Sequence, residues 1–124
     1  MTASLARCFL LPAIVCIAAG CASTTDAFPP KALRIEIQAG KIAEECFALA
    51  AGERVDYQFE ATAPVDFNFH THRGNEIVMP VNVRRTRAQA GVFSSPAAED
   101  YCMMWTNAGA VPSYVTAQWT RLRR

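Results

Sequence analysis

The sequence predicts an all-β protein, an antiparallel two-sheet sandwich of jelly-roll type with about eight short strands, and three features carry that expectation. Apolar residues recur at every second position in several short runs, the spacing of a pleated strand with one buried side. Clusters rich in glycine, proline and asparagine separate those runs. One late run, Tyr101–Asn107, is apolar on both sides, as a strand in the middle of a sheet is.

The first segment stands apart from this pattern. Residues 1–20 carry a single charge, Arg7, then an apolar run from Cys8 to Ala19, then small residues. A run that short, interrupted by Pro12, falls below the roughly 20 residues that a spanning helix requires, but it suits the helical core of a signal peptide. Residues 21–31 are small, polar and proline-bearing and predict a tether, holding a domain of residues 32–124 roughly 17 Å from its start.

Within the domain, Leu33, Ile35 and Ile37 alternate with polar residues up to Ala39-Gly40. Ile42–Leu49 forms the next run and stops at Ala51-Gly52. Val55, Tyr57, Phe59 and Ala61 alternate with Arg54, Asp56, Gln58 and Glu60, and Thr62-Ala63-Pro64 predicts a corner. The stretch 84–91 has no clear period, and Gly91 and Pro96 forbid a long helix there. After the two-sided run and the turn signal Asn107-Ala108-Gly109, Val115, Ala117 and Trp119 alternate with Tyr114, Thr116, Gln118 and Thr120.

Between the corner and residue 84 the sequence VDFNFHTHRGNEIVMPVNV predicts a hairpin that contains both histidines of the chain. Val65, Phe67, Phe69 and Thr71 fall on one side, Asp66, Asn68, His70 and His72 on the other. A three-residue loop, Arg73-Gly74-Asn75, would pair Phe69 with Met79 and Phe67 with Val81, and set His72 opposite Glu76. Met79 would then face inward.

Ile17-Ala18-Ala19-Gly20-Cys21 resembles the lipobox of bacterial lipoproteins, with Ala18 where that family usually has leucine. The resemblance implies cleavage before Cys21 and acylation of that cysteine, palmitate included. Two or more acyl chains anchor stably where one does not. Ala22 in place of aspartate implies the outer membrane. Cleavage by the ordinary signal peptidase would instead leave a soluble periplasmic domain. Loss of the leader removes Arg7 and leaves basic and acidic residues equal in number, so no nucleic-acid footprint is indicated.

Of the five cysteines, Cys8 and Cys16 then depart with the leader and Cys21 carries lipid. Cys46 and Cys102 remain as a disulfide pair in an oxidising compartment, with two unpaired buried thiols as the alternative. Glu45-Cys46-Phe47 early and Tyr101-Cys102 late, followed by Asn107, resemble the Golgi-dynamics (GOLD) domain of secretory cargo receptors and small exported bacterial proteins of GOLD-like type. That resemblance implies a β-sandwich with Cys46 and Cys102 as its structural bridge and a non-catalytic binding or adaptor role. The coiled coil and membrane helix of the cargo receptors have no counterpart after the domain.

No serine elbow, zinc-finger spacing or phosphate-cradling glycine motif is present. Histidines two apart on a strand project to the same side, so His70, His72 and Glu76 make a candidate open site of modest affinity for copper or zinc. Met103 and Met104 are softer donors, but on a two-sided apolar strand they read as packing. Asp66, Asn68, His70, His72 and Arg73 make a candidate recognition ledge for an envelope protein or glycan, with Tyr114 on another exposed face. The sequence thus leads to a lipid-anchored, periplasm-facing binding module of the bacterial envelope without a catalytic centre, with metal binding as the alternative.

Overall fold

The computed structural model describes residues 27–123. The expected leader at 1–20 and the expected lipid attachment at Cys21 lie outside the described residues. Six antiparallel strands follow in chain order: β1 (Lys31–Ile37), β2 (Ile42–Leu49), β3 (Arg54–Arg73), β4 (Glu76–Ser94), β5 (Glu99–Thr106) and β6 (Ser113–Leu122). The described residues contain no helix, and so none long and apolar enough to cross a membrane.

The all-β antiparallel expectation holds, with fewer and longer strands. β3 runs for 20 residues and β4 for 19, and each serves where two short strands were expected. The first half of β3, Arg54–Ala61, pairs with β6, and β1 extends that sheet beyond β6. The second half, Asp66–His70, pairs with β5, and β2 extends the sheet beyond β5. β4 follows β3 along both halves. The result is one continuous sheet folded over on itself, so its two halves cover each other as the layers of a sandwich do.

The predicted corner at Thr62-Ala63-Pro64 is a bend inside β3. Pairing with β4 lapses between Glu60 and Val65, so Pro64 sits where no ladder hydrogen bond is missed. Side chains take over the bonding there. Ser113 Oγ donates to Ala63 O at 2.8 Å, and Tyr114 N donates to Thr62 Oγ1 at 2.9 Å.

Inside the fold, Tyr57, Phe59, Phe67, Phe69, Phe93, Tyr101 and Trp105 form one aromatic core with Val55, Val65, Met103, Val115 and Trp119. Phe67 touches four of these rings, at centroid distances of 5.3 Å to Tyr57, 4.9 Å to Phe59, 5.8 Å to Phe69 and 5.5 Å to Trp105. Each such ring buries a large apolar area, so this cluster is the main source of stability. Opposite Tyr57 on β4 stands Gly91, and a Cβ there would come within 3.0 Å of the Tyr57 hydroxyl. The stretch without a period, 84–91, is thus strand, kept in register by small and polar residues under large partners on β3.

Residues 27 and 28, part of the expected tether, attach to the sheet. Ala27 bridges to Leu122, and Phe28 N donates to Arg121 O at 2.9 Å. The guanidinium of Arg121 lies 4.5 Å over the Phe28 ring and that of Arg123 lies 4.4 Å over it. Arg121 also donates to Ala48 O at 2.7 Å and to Glu53 Oε2 at 3.1 Å, tying β6 to the turn between β2 and β3.

Asn107, expected as a turn residue, is fully buried. Its Nδ2 donates to Ile37 O and to Val111 O, each at 2.8 Å, and its Oδ1 accepts from Gly109 N at 3.0 Å. It joins the end of β1 to the loop between β5 and β6. Asn107→Ala would strand a buried carbonyl, and we expect a loss of about 2–3 kcal/mol, read as a lower urea midpoint with an unchanged slope.

Candidate functional site

The hairpin at the centre of the chain closes through a two-residue turn. Arg73 pairs with Glu76, His72 with Ile77 and Thr71 with Val78, which leaves Gly74-Asn75 as the loop. Gly74 has φ +62° and Asn75 is not in the positive-φ region, the pattern of a type II′ turn with glycine first. This corrects the expected three-residue loop. Register with the core is recovered two residues later by a β-bulge. Between Thr71↔Val78 and Phe69↔Val81, β3 advances over His70 alone while β4 advances over Met79 and Pro80.

The bulge changes which side chains share a face. Val81 and Val83 face inward, but they stand opposite Phe69 and Phe67, where Met79 and Val81 were expected, and Ile77 and Met79 turn outward, with 53% and 42% of their surface exposed. Met79 is therefore not an inward residue. Glu76 stands beside Arg73 and on the opposite side from His72, so the expected His70, His72 and Glu76 trio does not assemble. Period-two alternation holds on each side of the bulge, and the extra residue between them leaves no mark in it.

A second bulge sets Arg84 and Arg85 against Asp66. Arg85 takes φ +53°, and its N–H donates to Asp66 Oδ1 at 2.8 Å, the bond that holds this uncommon conformation. Arg84 Nε lies 3.9 Å from Asp66 Oδ2. Asp66 is thus committed to shaping β4. Arg73 is exposed and bound to Glu99, with Nε to Oε1 at 2.8 Å and Nη2 to Oε2 at 3.2 Å.

Pairing across β2, β5 and β3 builds the outer surface of this half of the sheet. Cys46 pairs with Cys102, and Cys102 pairs on its other side with His70, so the three lie in one row over three strands. Glu44, Met104 and Asn68 form the adjacent row. The Cys46–Cys102 disulfide is formed, with the two Cα atoms 4.0 Å apart. It spans a large separation in sequence but joins direct neighbours in the sheet.

His70 projects from this outer side yet only 4% of it is exposed. Its Nδ1 lies 2.9 Å from Asn68 Oδ1, its Nε2 lies 3.0 Å from Glu44 Oε1, and the His72 ring stands edge-on at 5.1 Å. A neutral ring meets both polar neighbours by donating Nε2–H to Glu44 with the Asn68 amide NH₂ turned to Nδ1; an imidazolium donates to both oxygens. Burial holds the imidazole pKa below its ordinary 6.5, the Glu44 carboxylate pulls it up, and His72 adds to the lowering.

Glu44 is the residue that sequence reasoning missed. It stands on the outward side of β2, and its only signal was that it precedes Cys46 by two positions. Glu44, His70 and Cys102 bring one donor atom each within 4.8 Å of one another. Met103 is buried in the core and Met104 is half-buried between Glu44 and Asn68, so packing accounts for both. Tyr114 is exposed on the other half of the sheet, opposite Glu36.

No family model and no curated protein sequence matches the chain. Solved structures do. Aeromonas hydrophila PliG, a periplasmic lysozyme inhibitor of g-type lysozyme, superposes with a TM-score of 0.58 at 10% identity, covering 76% of this chain and 86% of that one. The chain is similar to PliG in fold. Yersinia pseudotuberculosis-derived mitogen superposes with a TM-score of 0.54 at 12% identity, covering 74% of this chain and 85% of that one. At such identities the likeness to PliG and the mitogen extends to the folded antiparallel sheet and not to particular side chains.

The lowered pKa of His70 makes stability depend on pH in a definite direction. The unfolded ring takes up its proton near 6.5 and the native ring only at lower pH, so the contribution of the neutral native ring is complete above 6.5 and is lost as pH falls toward the native value. Urea melts in chelator at pH 8 and pH 5 should show a larger acid loss in the wild type than in His70→Gln; equal losses would contradict the assignment.

Proposed function

We propose that this chain is a non-catalytic protein-binding module of the bacterial envelope, anchored by lipid at Cys21 and facing the periplasm, with the outer membrane as its site. One observation carries the binding role. At the end of the β3–β4 hairpin, Ile77 and Met79 expose apolar surface beside exposed His72, on a strand whose outer edge no other described strand covers. Apolar side chains grouped on a braced sheet, ringed by polar groups, suit a macromolecular partner. Support for a protein over a glycan comes from PliG, whose name records a protein target, a g-type lysozyme. The GOLD-like resemblance of the cysteine framework agrees with an adaptor role.

The original ledge narrows in this reading. Asn68 and His70 are buried and Asp66 is occupied by the Arg85 bulge, so they support the surface from below. His72, Ile77 and Met79 meet the partner, while Arg73 lies on the other side of the strand and is held by Glu99.

A second reading is favoured by the Glu44–His70 contact. With Glu76 turned away, Glu44, His70 and His72 are the oxygen and nitrogen donors that an open copper or zinc site would draw on while the disulfide is closed.

A photo-crosslinking residue at position 72 or 77 should trap a discrete protein partner in intact cells, and one at Gln118, on the other half of the sheet, should not. Equal trapping at all three positions, or none at 72 and 77, would remove the assigned surface. Mass spectrometry of the purified N-terminus should give a mature chain that begins at Cys21 with diacylglyceryl mass. An unmodified N-terminus at another residue would make the module freely periplasmic.

A further inference from the structure

We propose that the Cys46–Cys102 disulfide masks a metal site, and that its reduction creates a Zn²⁺ centre from Cys46, Cys102, His70 and Glu44. This inference is independent of the anchor and of the protein-binding role.

The placement of the donors is what points to it. Cys46, Cys102 and His70 occupy one row across β2, β5 and β3, and Glu44 lies next to that row on β2. A ring nitrogen of His70, a carboxylate oxygen of Glu44 and Sγ of Cys102 already lie within 4.8 Å of one another, and Nε2 is the nitrogen next to Glu44 at 3.0 Å. Donors around a tetrahedral zinc are about 3.3–3.8 Å apart, given bonds of about 2.0–2.3 Å, so side-chain rotations close the gap without moving a strand. Two thiolates, an imidazole and a carboxylate form a donor set that zinc accepts and that hard cations do not favour.

The ring is also held as a bound imidazole needs. Asn68 presents Oδ1 to Nδ1 at 2.9 Å. A proton on Nδ1 donated to that oxygen leaves the Nε2 lone pair facing Glu44, and a hydrogen bond of this kind fixes both tautomer and orientation in metal sites. In the closed protein that arrangement sets two lone pairs against each other, Nε2 and Glu44 Oε1 at 3.0 Å, unless a proton lies between them. A cation there replaces the proton. The site is buried on the His70 side, which strengthens the charge interactions, and open on the Cys46 side, where a reductant reaches the bridge.

The chemistry balances with an external dithiol as reductant. Its thiolate attacks one sulfur of the bridge to form a mixed disulfide, and its second thiol displaces the protein sulfur. Two electrons and two protons pass to Cys46 and Cys102, and the reductant leaves as its own disulfide. Zn²⁺ then displaces both thiol protons and changes no oxidation state.

Cobalt titration of the purified full chain tests this, because Co²⁺ reports thiolate coordination by a charge-transfer band and tetrahedral geometry by intense visible bands. With a phosphine reductant the wild type should show both, and Zn²⁺ should bleach them by displacement. Disulfide-closed protein should show neither. His70→Ala should weaken the reduced site by about tenfold or more. Cys46→Ser frees Cys102 without any reductant and should give a weaker charge-transfer band in otherwise folded protein, which separates a missing site from a domain unfolded by reduction. Absence of thiolate bands in both reduced wild type and Cys46→Ser, or an unchanged affinity in His70→Ala, would overturn the proposal.

Discussion

Continuity of β3 is the constraint on which the rest depends. A 20-residue strand that pairs with β6 through its first half and with β5 through its second cannot remain flat. Strand twist, together with the lapse in pairing around Pro64, bends it so that one chain segment belongs to both layers. Val55, Tyr57 and Phe59 before the bend and Val65, Phe67 and Phe69 after it all point into the same interior, where they are buried. The core therefore does not need two separate sheets to find each other; the strand delivers both halves of its inner face already joined.

β4 shows how an exposed edge is made safe. It runs for 19 residues with β3 on one side only among the described residues. An edge that long invites pairing with other chains, and Pro80, two bulges and the run Arg84, Arg85 and Arg87 all work against regular pairing. The same devices shape the surface. The two-residue turn sets Ile77 outward near the hairpin end, the first bulge returns Val81 and Val83 to the core, and the second fixes Asp66 against the backbone of Arg85. Protection of the edge and presentation of the hairpin are one structural solution.

On the outer side of the β2–β5–β3 half, a covalent bond and a buried titratable ring are neighbours. Cys102 touches both, paired with Cys46 on one side and with His70 on the other. The disulfide ties an edge strand, β2, to its neighbour β5, and in a chain-entropy argument a loop of 56 residues contributes about 4 kcal/mol. His70 acts in the opposite sense at low pH, because burial disfavours its charged form even with Glu44 beside it. Bridge and ring together make this patch the part of the surface most responsive to its chemical surroundings.

The fold class was legible because burial on one side of a strand writes itself into the sequence with period two. The hydrophobic sides of β1, β3 and β6 and the central position of β5 could be read directly from residues such as Val55, Phe67, Met103 and Trp119. The bridge between Cys46 and Cys102 followed from counting cysteines once Cys8, Cys16 and Cys21 were assigned to the leader and its anchor. The bulges were not legible, since an inserted residue at Met79-Pro80 or Arg84-Arg85 leaves local composition unchanged and shows only as a shift against a partner strand. Nor was Glu44, because its place beside His70 depends on β5 lying between their strands. By itself the sequence determined which sides of β1, β3 and β6 carry the hydrophobic core, for that is a local matter of alternation and apolar area. Only the tertiary structure decided which outward residues meet, since neighbours across strands are set by register, and register is a property of pairs of strands that no single run of residues contains.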